Sequence, residues 1–436
     1  MKKLCLCLAL ASLLGLGGQA FALIGTADVV PAATLLLPYF EVNTNDLNGN
    51  NTLFSINNAS DAAVLVHVVV WSDQSIPVLD FSVYLTGYDV QTINLRDVLQ
   101  NGNLPRTAST GQDPSGAALN AGISPRGALS TDINYPGCTG TLPYTNPAIN
   151  AAFRAHLQAV LQGNASPTFG TCYGSKQKDN VLRGYVTVDT VATCNVLFPA
   201  QMLTGYSTVI TNENTLWGDY FYVNSAENFA QGDTLVHIES CGPAQNGRPG
   251  SQYATCFLPG EHTFYGRYEA AGTINAREPL PTTMGARYLN GGGFTGGTDF
   301  LVWREGGSPT TAISYNCANQ GPSWYPLGNT QIVVFDETEQ VVTAENCPSG
   351  FDCGIDISIP NEANRVDIGT DIPTPFSFGW VYLNLQWSCP ACVSSVYGDD
   401  DDQMWLVTVM DASGRFSVGY AGVAFDNANA PAGIIP

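Results

Sequence analysis

The chain has 436 residues, of which only 12% are charged, with 16 Lys and Arg against 37 Asp and Glu and a formal net charge of −21. So anionic a surface repels phosphate backbones and anionic lipid, which excludes nucleic acid as a partner. Low charge density together with abundant Gly, Asn, Ser and Thr matches an extracellular β-protein rather than a disordered acidic tail.

The first element is a signal peptide over residues 1–22: basic Lys2 and Lys3, an apolar run from Leu4 to Leu16, and the small-x-small site Ala20-Phe21-Ala22. Cys5 and Cys7 lie inside the apolar run, so neither is a lipid-attachment cysteine. No later run approaches the ~18 apolar residues of a spanning helix, so no transmembrane segment is expected. The expected location is exported: periplasmic, extracellular or at the cell surface.

Next come four strand-like runs, "NTLFSINN", "AVLVHVVVWSD", "LDFSVYL" and "YDVQTINLRDVL", separated by Asn, Gly, Asp and Pro turns. Val64, Val66, Val68 and Val70 make one aliphatic face, and Leu65, His67, Val69 and Trp71 the other, the signature of a central strand covered on both sides. The chain then leaves this rhythm over about 101–183, where one helix is expected. Asn146 would cap it, Pro147 would open it, Ile149, Phe153, Leu157 and Leu161 form its stripe, and Gly163 ends it. "GYVTVDTVATC" (Gly184–Cys194) resumes the strand pattern, and "NTLWGDYFYVNSAENFAQGDTLVHIES" adds two strands around a polar turn. "HTFYGRYEAAG" reads as a further strand, and "REPLPTT" (Arg277–Thr283) as the boundary between two units.

The second unit repeats the phrases of the first in order. "PTTMGARYLNG" answers to "PAATLLLPYFEV", "TDFLVW" to "NTLFSI", "TQIVVFDE" to "VLVHVVVWSD", "NRVDIGTDI" to "YDVQTINLRDV", and "GWVYLNLQWSC" (Gly379–Cys389) to Gly184–Cys194. "MWLVTVM" and "FSVGYAGVAF" close the chain as a hairpin. The expected fold is therefore all-β: two immunoglobulin-like β-sandwich units from an internal duplication, over 23–276 and 277–436, with disulfide-bonded loops and one short inserted helix. The runs "TLLLPYFEV", "TLFSINNAS", "GYDVQTINLRDVL", "LWGDYFYVN" and "LVHIES" resemble a group of uncharacterised exported bacterial β-sandwich proteins. That resemblance implies export and a β-rich fold, and brings no activity or site residue with it.

Ten of the 12 cysteines lie beyond the signal, an even count that argues for disulfides in an exported chain. Loop closure favours near neighbours, so the expected pairs are Cys138–Cys172, Cys241–Cys256 and Cys347–Cys353. Cys389 and Cys392 form a CxxC that, without a βαβ setting, reads as a structural bridge or turn.

Chemistry is sparse. There is no GxSxG, HExxH or phosphate-binding loop, and "GGGFTGG" lacks the Lys-Ser/Thr that would make it one. His67, His156 and His237 lie within strand or helix patterns, where a hydrogen-bonded structural role is the simpler reading; His262, in "GEHTFYGRY", is the best candidate for function. Asp399, Asp400, Asp401 and Asp402 crowd carboxylates into one turn, which reads first as a solvated acidic loop and otherwise as a cation site, with calcium the candidate cofactor. "NTNDLNGNN" has Asp46, Asn48 and Gly49 in register for a calcium loop, but Thr44 and Ser55 occupy its end positions, so a hairpin turn is the better reading. Among aromatics, Trp217, Tyr220 and Tyr222 are assigned to the core, while Trp324 and Tyr325, in "GPSWYPLG", are the candidates for an exposed ligand platform.

These features favour an exported non-enzymatic protein acting in cell-surface structure, adhesion or ligand binding, with a surface protein or a glycan as partner. The alternative is a secreted hydrolase of glycans or esters, whose carboxylate pair no motif would flag.

Overall fold

The computed structural model describes residues 30–105, 147–176, 179–240, 262–268, 276–306, 314–319, 325–329, 331–342, 359–385, 402–412, 417–421 and 423–427, with positions 138, 142, 144, 321 and 322. Residues 1–22, Trp324, Asp399, Asp400, Asp401 and Cys241, Cys256, Cys347, Cys353, Cys389 and Cys392 lie outside the described residues. No described helix is long and apolar enough to cross a membrane.

Nineteen strands follow in order: β1 (Thr34–Asn43), β2 (Asn51–Asn58), β3 (Val64–Ser72), β4 (Pro77–Leu85), β5 (Val90–Asn94), β6 (Val181–Thr190), β7 (Leu216–Trp217), β8 (Asp219–Asn224), β9 (Phe229–Thr234), β10 (Val236–Ile238), β11 (Pro281–Leu289), β12 (Gly297–Arg304), β13 (Gln331–Asp336), β14 (Val341–Val342), β15 (Ala363–Ile368), β16 (Phe378–Asn384), β17 (Met404–Asp411), β18 (Ser417–Ala421) and β19 (Val423–Asn427). The first sandwich stacks the sheet β10-β1-β6-β3-β4 on β5-β2-β8-β9, with β7 added to β2. The second stacks β19-β11-β16-β13-β14 on β15-β12-β17-β18. The strand orders coincide: β1 to β6 correspond to β11 to β16, and β8 to β10 correspond to β17 to β19, while β7 has no counterpart.

The recurring Gly-aromatic-Val of β6 and β16 has one physical cause in both places. Gly184 pairs with Phe40 and Gly379 with Tyr288. A Cβ on Gly184 would overlap the Trp71 carbonyl of β3, and one on Gly379 the Phe335 carbonyl of β13. The next residue then stacks across the strands: Tyr185 on Trp71 at 5.6 Å and 2°, Trp380 on Phe335 at 4.0 Å and 8°. Only glycine allows this approach, and the aromatic beside it restores the packing that the bare backbone forfeits.

β3 is buried at every residue and lies between β6 and β4, as its two apolar faces require. Leu35, Val66, Val68, Val186 and Val188 of one sheet meet Phe54, Ile56 and Ile93 of the other to fill the first core. Met284, Val334, Val381 and Leu383 meet Phe300, Val302, Val366 and Leu406 in the second. The opposite face of β12, β15 and β17 is also apolar, and Leu301, Trp303, Ala363, Val407 and Val409 join the first core rather than facing water. The two sandwiches therefore share a buried seam.

Three local expectations are corrected. Helix α1 spans Ala151–Leu161 and is capped by Asn150, whose Oδ1 accepts from Phe153 N at 2.9 Å, four residues after the expected cap. The reason is tertiary: Ile149 N donates to Gly102 O at 3.0 Å, which holds the chain outside the helix there. Gly163 still ends the element, with φ +69. "HTFYGRY" forms a 3-10 turn at Gly266–Tyr268, not a strand. The last run is two strands: β18 pairs with β17 in one sheet, and β19 crosses to pair with β11 in the other.

The bridges also differ from near-neighbour pairing. Cys138 is bonded to Cys194 and Cys172 to Cys317, with Cα separations of 5.1 and 4.9 Å. The fold brings the end of β6 to Cys138 and the segment after α1 to the second unit, where Cys172 and Tyr315 exchange backbone hydrogen bonds at 2.9 Å. Native proximity thus outweighs the slow growth of closure entropy with loop length.

Candidate functional site

Among the described residues, a gathering of ionisable side chains lies in the seam. Arg267, on the turn before the second unit, donates to Glu362 Oε1 at 2.6 Å and to Ser75 Oγ at 3.0 Å. Its Nε lies 3.8 Å from Glu305 Oε1, and its guanidinium stands 4.6 Å from the centre of the Tyr268 ring. Glu305, at the end of β12, has its Oε2 at 3.0 Å from His262 Nε2 and accepts from Gln403 Nε2 at 2.8 Å. Tyr325 donates to Glu362 Oε2 at 2.8 Å, and Ser75 hydrogen-bonds Tyr185 of β6. First-unit residues Ser75, Tyr185, His262 and Arg267 are thereby joined to second-unit residues Glu305, Tyr325, Glu362 and Gln403.

Burial alone would raise the Glu305 carboxyl, but His262, Arg267 and Gln403 hold it below the ordinary carboxylate range. Burial works against the Arg267 charge too, and the surrounding acids, Glu362 first, more than compensate. The His262 and Glu305 side chains are 5% and 1% exposed. Both members of this His–carboxylate pair are thus buried and engaged with each other.

A second buried group ties the end of β6 to the linker. Asp189 accepts from Tyr206 at 2.6 Å and Tyr265 at 2.8 Å and also from Thr34, with Arg277 Nη2 at 3.9 Å. Burial raises its carboxyl above the usual range, with Arg277 opposing. A third, nearer the surface, centres on Glu41. Arg365 Nη1 lies 2.8 Å from Glu41 Oε2 and Arg183 Nε 3.6 Å from Oε1, while Tyr39 donates to Oε1 at 2.8 Å. Burial would raise Glu41, and the two arginines and these hydrogen bonds hold it low.

Glu41 and Arg365 line a cleft of about 50 Å³ with Glu227, Tyr222, Leu301 and Asp411. That space holds a few waters, far short of the few hundred Å³ of an ordinary ligand pocket. A carboxylate held ionised by two guanidinium groups is also the wrong partner for a glycosidase acid, which needs a raised pKa.

The other three histidines are buried. His67 is fully buried, its Nε2 3.8 Å from Asp80 Oδ2, and burial pushes its imidazole down to about 4. His156 Nδ1 bonds Ser166 Oγ at 2.8 Å, and His237 Nδ1 bonds Val30 O at 2.8 Å.

The loop weighed for calcium at Asn43–Asn51 is organised by a side-chain cation. Arg96 donates to the carbonyls of Leu47 at 2.7 Å, Asn50 at 2.9 Å and Gly49 at 3.0 Å. Asp46 instead accepts from Asn48 N at 2.8 Å, in a turn of ordinary Asx type. Among the described residues no three His, Cys, Asp or Glu side chains gather to hold a metal ion. Asp402 is the one described member of the acidic turn, and its charge acts on buried Arg304.

The aromatic assignments divide differently from the sequence reading. Tyr220 and Tyr222 are buried at 1% and 8%, but Trp217 is 40% exposed. Tyr325 is half-buried, with its hydroxyl committed to Glu362. Phe221, which nothing in the sequence singled out, is 47% exposed. Strand alternation was the available signal, since Trp217 and Phe221 share a parity opposite to Tyr220 and Tyr222.

Compared with protein-family models, with curated proteins and with solved structures, the chain matches none.

Proposed function

We propose that the protein is an exported, non-enzymatic β-sandwich protein acting in cell-surface structure, adhesion or ligand binding. The observation that carries this reading is how the interior acids are used. Glu305 and Glu362 join the two units, Asp189 anchors the linker, and Glu41 is held by Arg183 and Arg365. Side chains so committed stabilise a fixed shape, as a binding scaffold requires. The coinciding strand orders further support an origin by internal duplication, and the bridge Cys172–Cys317 suits an oxidising compartment.

The test is to fractionate producing cells and then incubate the purified protein, lacking residues 1–22, with their isolated envelopes. Saturable retention, without turnover of chromogenic esters or glycosides, is the expected result. Turnover that survives purification to homogeneity would overturn the proposal in favour of the hydrolase reading.

A further inference from the structure

The outer face of the sheet β5-β2-β8-β9 carries an arrangement that the fold itself does not need. Alternation turns Phe54 and Ile56 of β2 into the core and Leu53, Ser55 and Asn57 outward. Trp217 pairs with Asn57, and Phe221 pairs with Leu53 four residues further along. The two rings thus stand on one face, four residues or roughly 13 Å apart.

The Phe221 ring is laid down rather than upright. A Cβ built on its cross-strand partner Gly232 would sit 2.5 Å from Phe221 Cδ1 and Cε1, so the ring rests on bare glycine backbone with its other face in solvent. Between the two aromatics runs a polar row. Ser55 Oγ donates to Asp219 Oδ1 at 2.5 Å, and Asn57 Nδ2 donates to Ser55 Oγ at 3.0 Å. Asn57 is only 3% exposed, and its Oδ1 accepts no hydrogen bond among the described residues.

These features select a ligand chemistry. Flat rings separated by hydroxyl, amide and carboxylate groups match a chain of pyranoses, whose C–H faces stack on aromatics and whose hydroxyls donate to oxygen acceptors. Asp219 stands in the polar row, strands β2, β5, β8 and β9 carry no Lys or Arg, and the chain's net charge is −21, so an anionic polymer is repelled. We infer that this face binds a neutral polysaccharide, with Trp217 and Phe221 as stacking platforms and Asp219 as the acceptor between them. The inference rests on the ligand-binding reading above and names its ligand class.

The test is native affinity electrophoresis of the protein lacking residues 1–22 in gels containing mannan, hydroxyethyl cellulose or glycol chitin. At least one polymer is expected to retard it, and Trp217→Ala or Phe221→Ala to weaken retention about tenfold. Gly232→Ala, which keeps both aromatics but lifts the Phe221 ring, should weaken it as well. Leu203→Ala, at a residue 58% exposed elsewhere, serves as the control and should leave retention unchanged. Unchanged urea midpoints in the two aromatic variants would separate loss of binding from loss of fold. No retardation by any polymer, or retardation indifferent to Trp217 and Phe221, would overturn the inference. Saturable envelope binding without polysaccharide binding would remove only this ligand class, whereas absence of both removes the parent reading too. Self-association abolished by Phe221→Ala would reassign the face to a second copy of the chain.

Discussion

Replacing Arg267 by alanine tests whether the seam depends on its ionic network. The change removes the hydrogen bonds to Glu362 at 2.6 Å and Ser75 at 3.0 Å, the Glu305 contact at 3.8 Å and the stack on Tyr268. Breaking a buried pair by deleting one partner costs about 3–5 kcal/mol, because the remaining charge stays buried. Here Tyr325 still donates to Glu362, while His262 and Gln403 still hold Glu305. The loss should therefore fall near the lower limit, about 3 kcal/mol. Unfolding entropy grows with chain length, so for a chain of this size that loss lowers Tm by roughly 3–4 °C. Calorimetry on Arg267→Ala, Glu362→Gln and the double variant gives both the shift and the coupling. A Tm within about 1 °C of wild type, or a coupling energy below about 0.5 kcal/mol, would refute the assignment.

Other consequences are equally direct. Because burial holds His67 near 4, the unfolded chain binds a proton that the folded one refuses between about pH 6.5 and 4; stability is full above that window and is lost as pH falls through it. Asp80, raised to about 6, acts with the opposite sign over part of the same range, gaining a proton in the folded state as pH falls. His67→Leu should therefore spare about 2 kcal/mol of the loss at pH 5, read as a smaller fall in urea midpoint than wild type shows between pH 7 and 5. The Cys172–Cys317 bridge closes a separation of 145 residues and joins the two units, so the double serine variant should lose up to about 5 kcal/mol in denaturant titration. Gly184→Ala and Gly379→Ala should each cost at least about 2 kcal/mol, since the added methyl overlaps a neighbouring strand's carbonyl. An unchanged urea midpoint in either would show that the strands separate more freely than the pairing implies.

Much of the fold was legible because it is written in local periodicity. Two-residue alternation in "NTLFSI" and "TDFLVW", the doubly apolar "VLVHVVVW", and the glycines within β6 and β16 are properties of short segments. The coinciding strand orders have their sequence counterpart in phrases that recur in the same order. Less local features were misread. The start of α1 depends on Ile149 N finding Gly102 O, and the partners of Cys138 and Cys172 depend on where distant segments pack. β18 and β19 read as one strand because a crossing between sheets leaves no change in composition.

The candidate sites were less legible still. Arg267, Glu305, Glu362 and Gln403 share no motif or spacing, and only packing one sandwich on the other brings them together. His262 could be picked out by its residue type, but its burial against Glu305 could not. In "LWGDYFYV" the alternation separates Tyr220 and Tyr222 from Trp217 and Phe221, and the sequence alone determined that much. Which pair faces water was decided only when one side of β8 met the core and Gly232 came to lie under Phe221. Periodicity specifies which side chains share a face, whereas burial is a relation between elements far apart in the chain, and that relation exists only once they have packed.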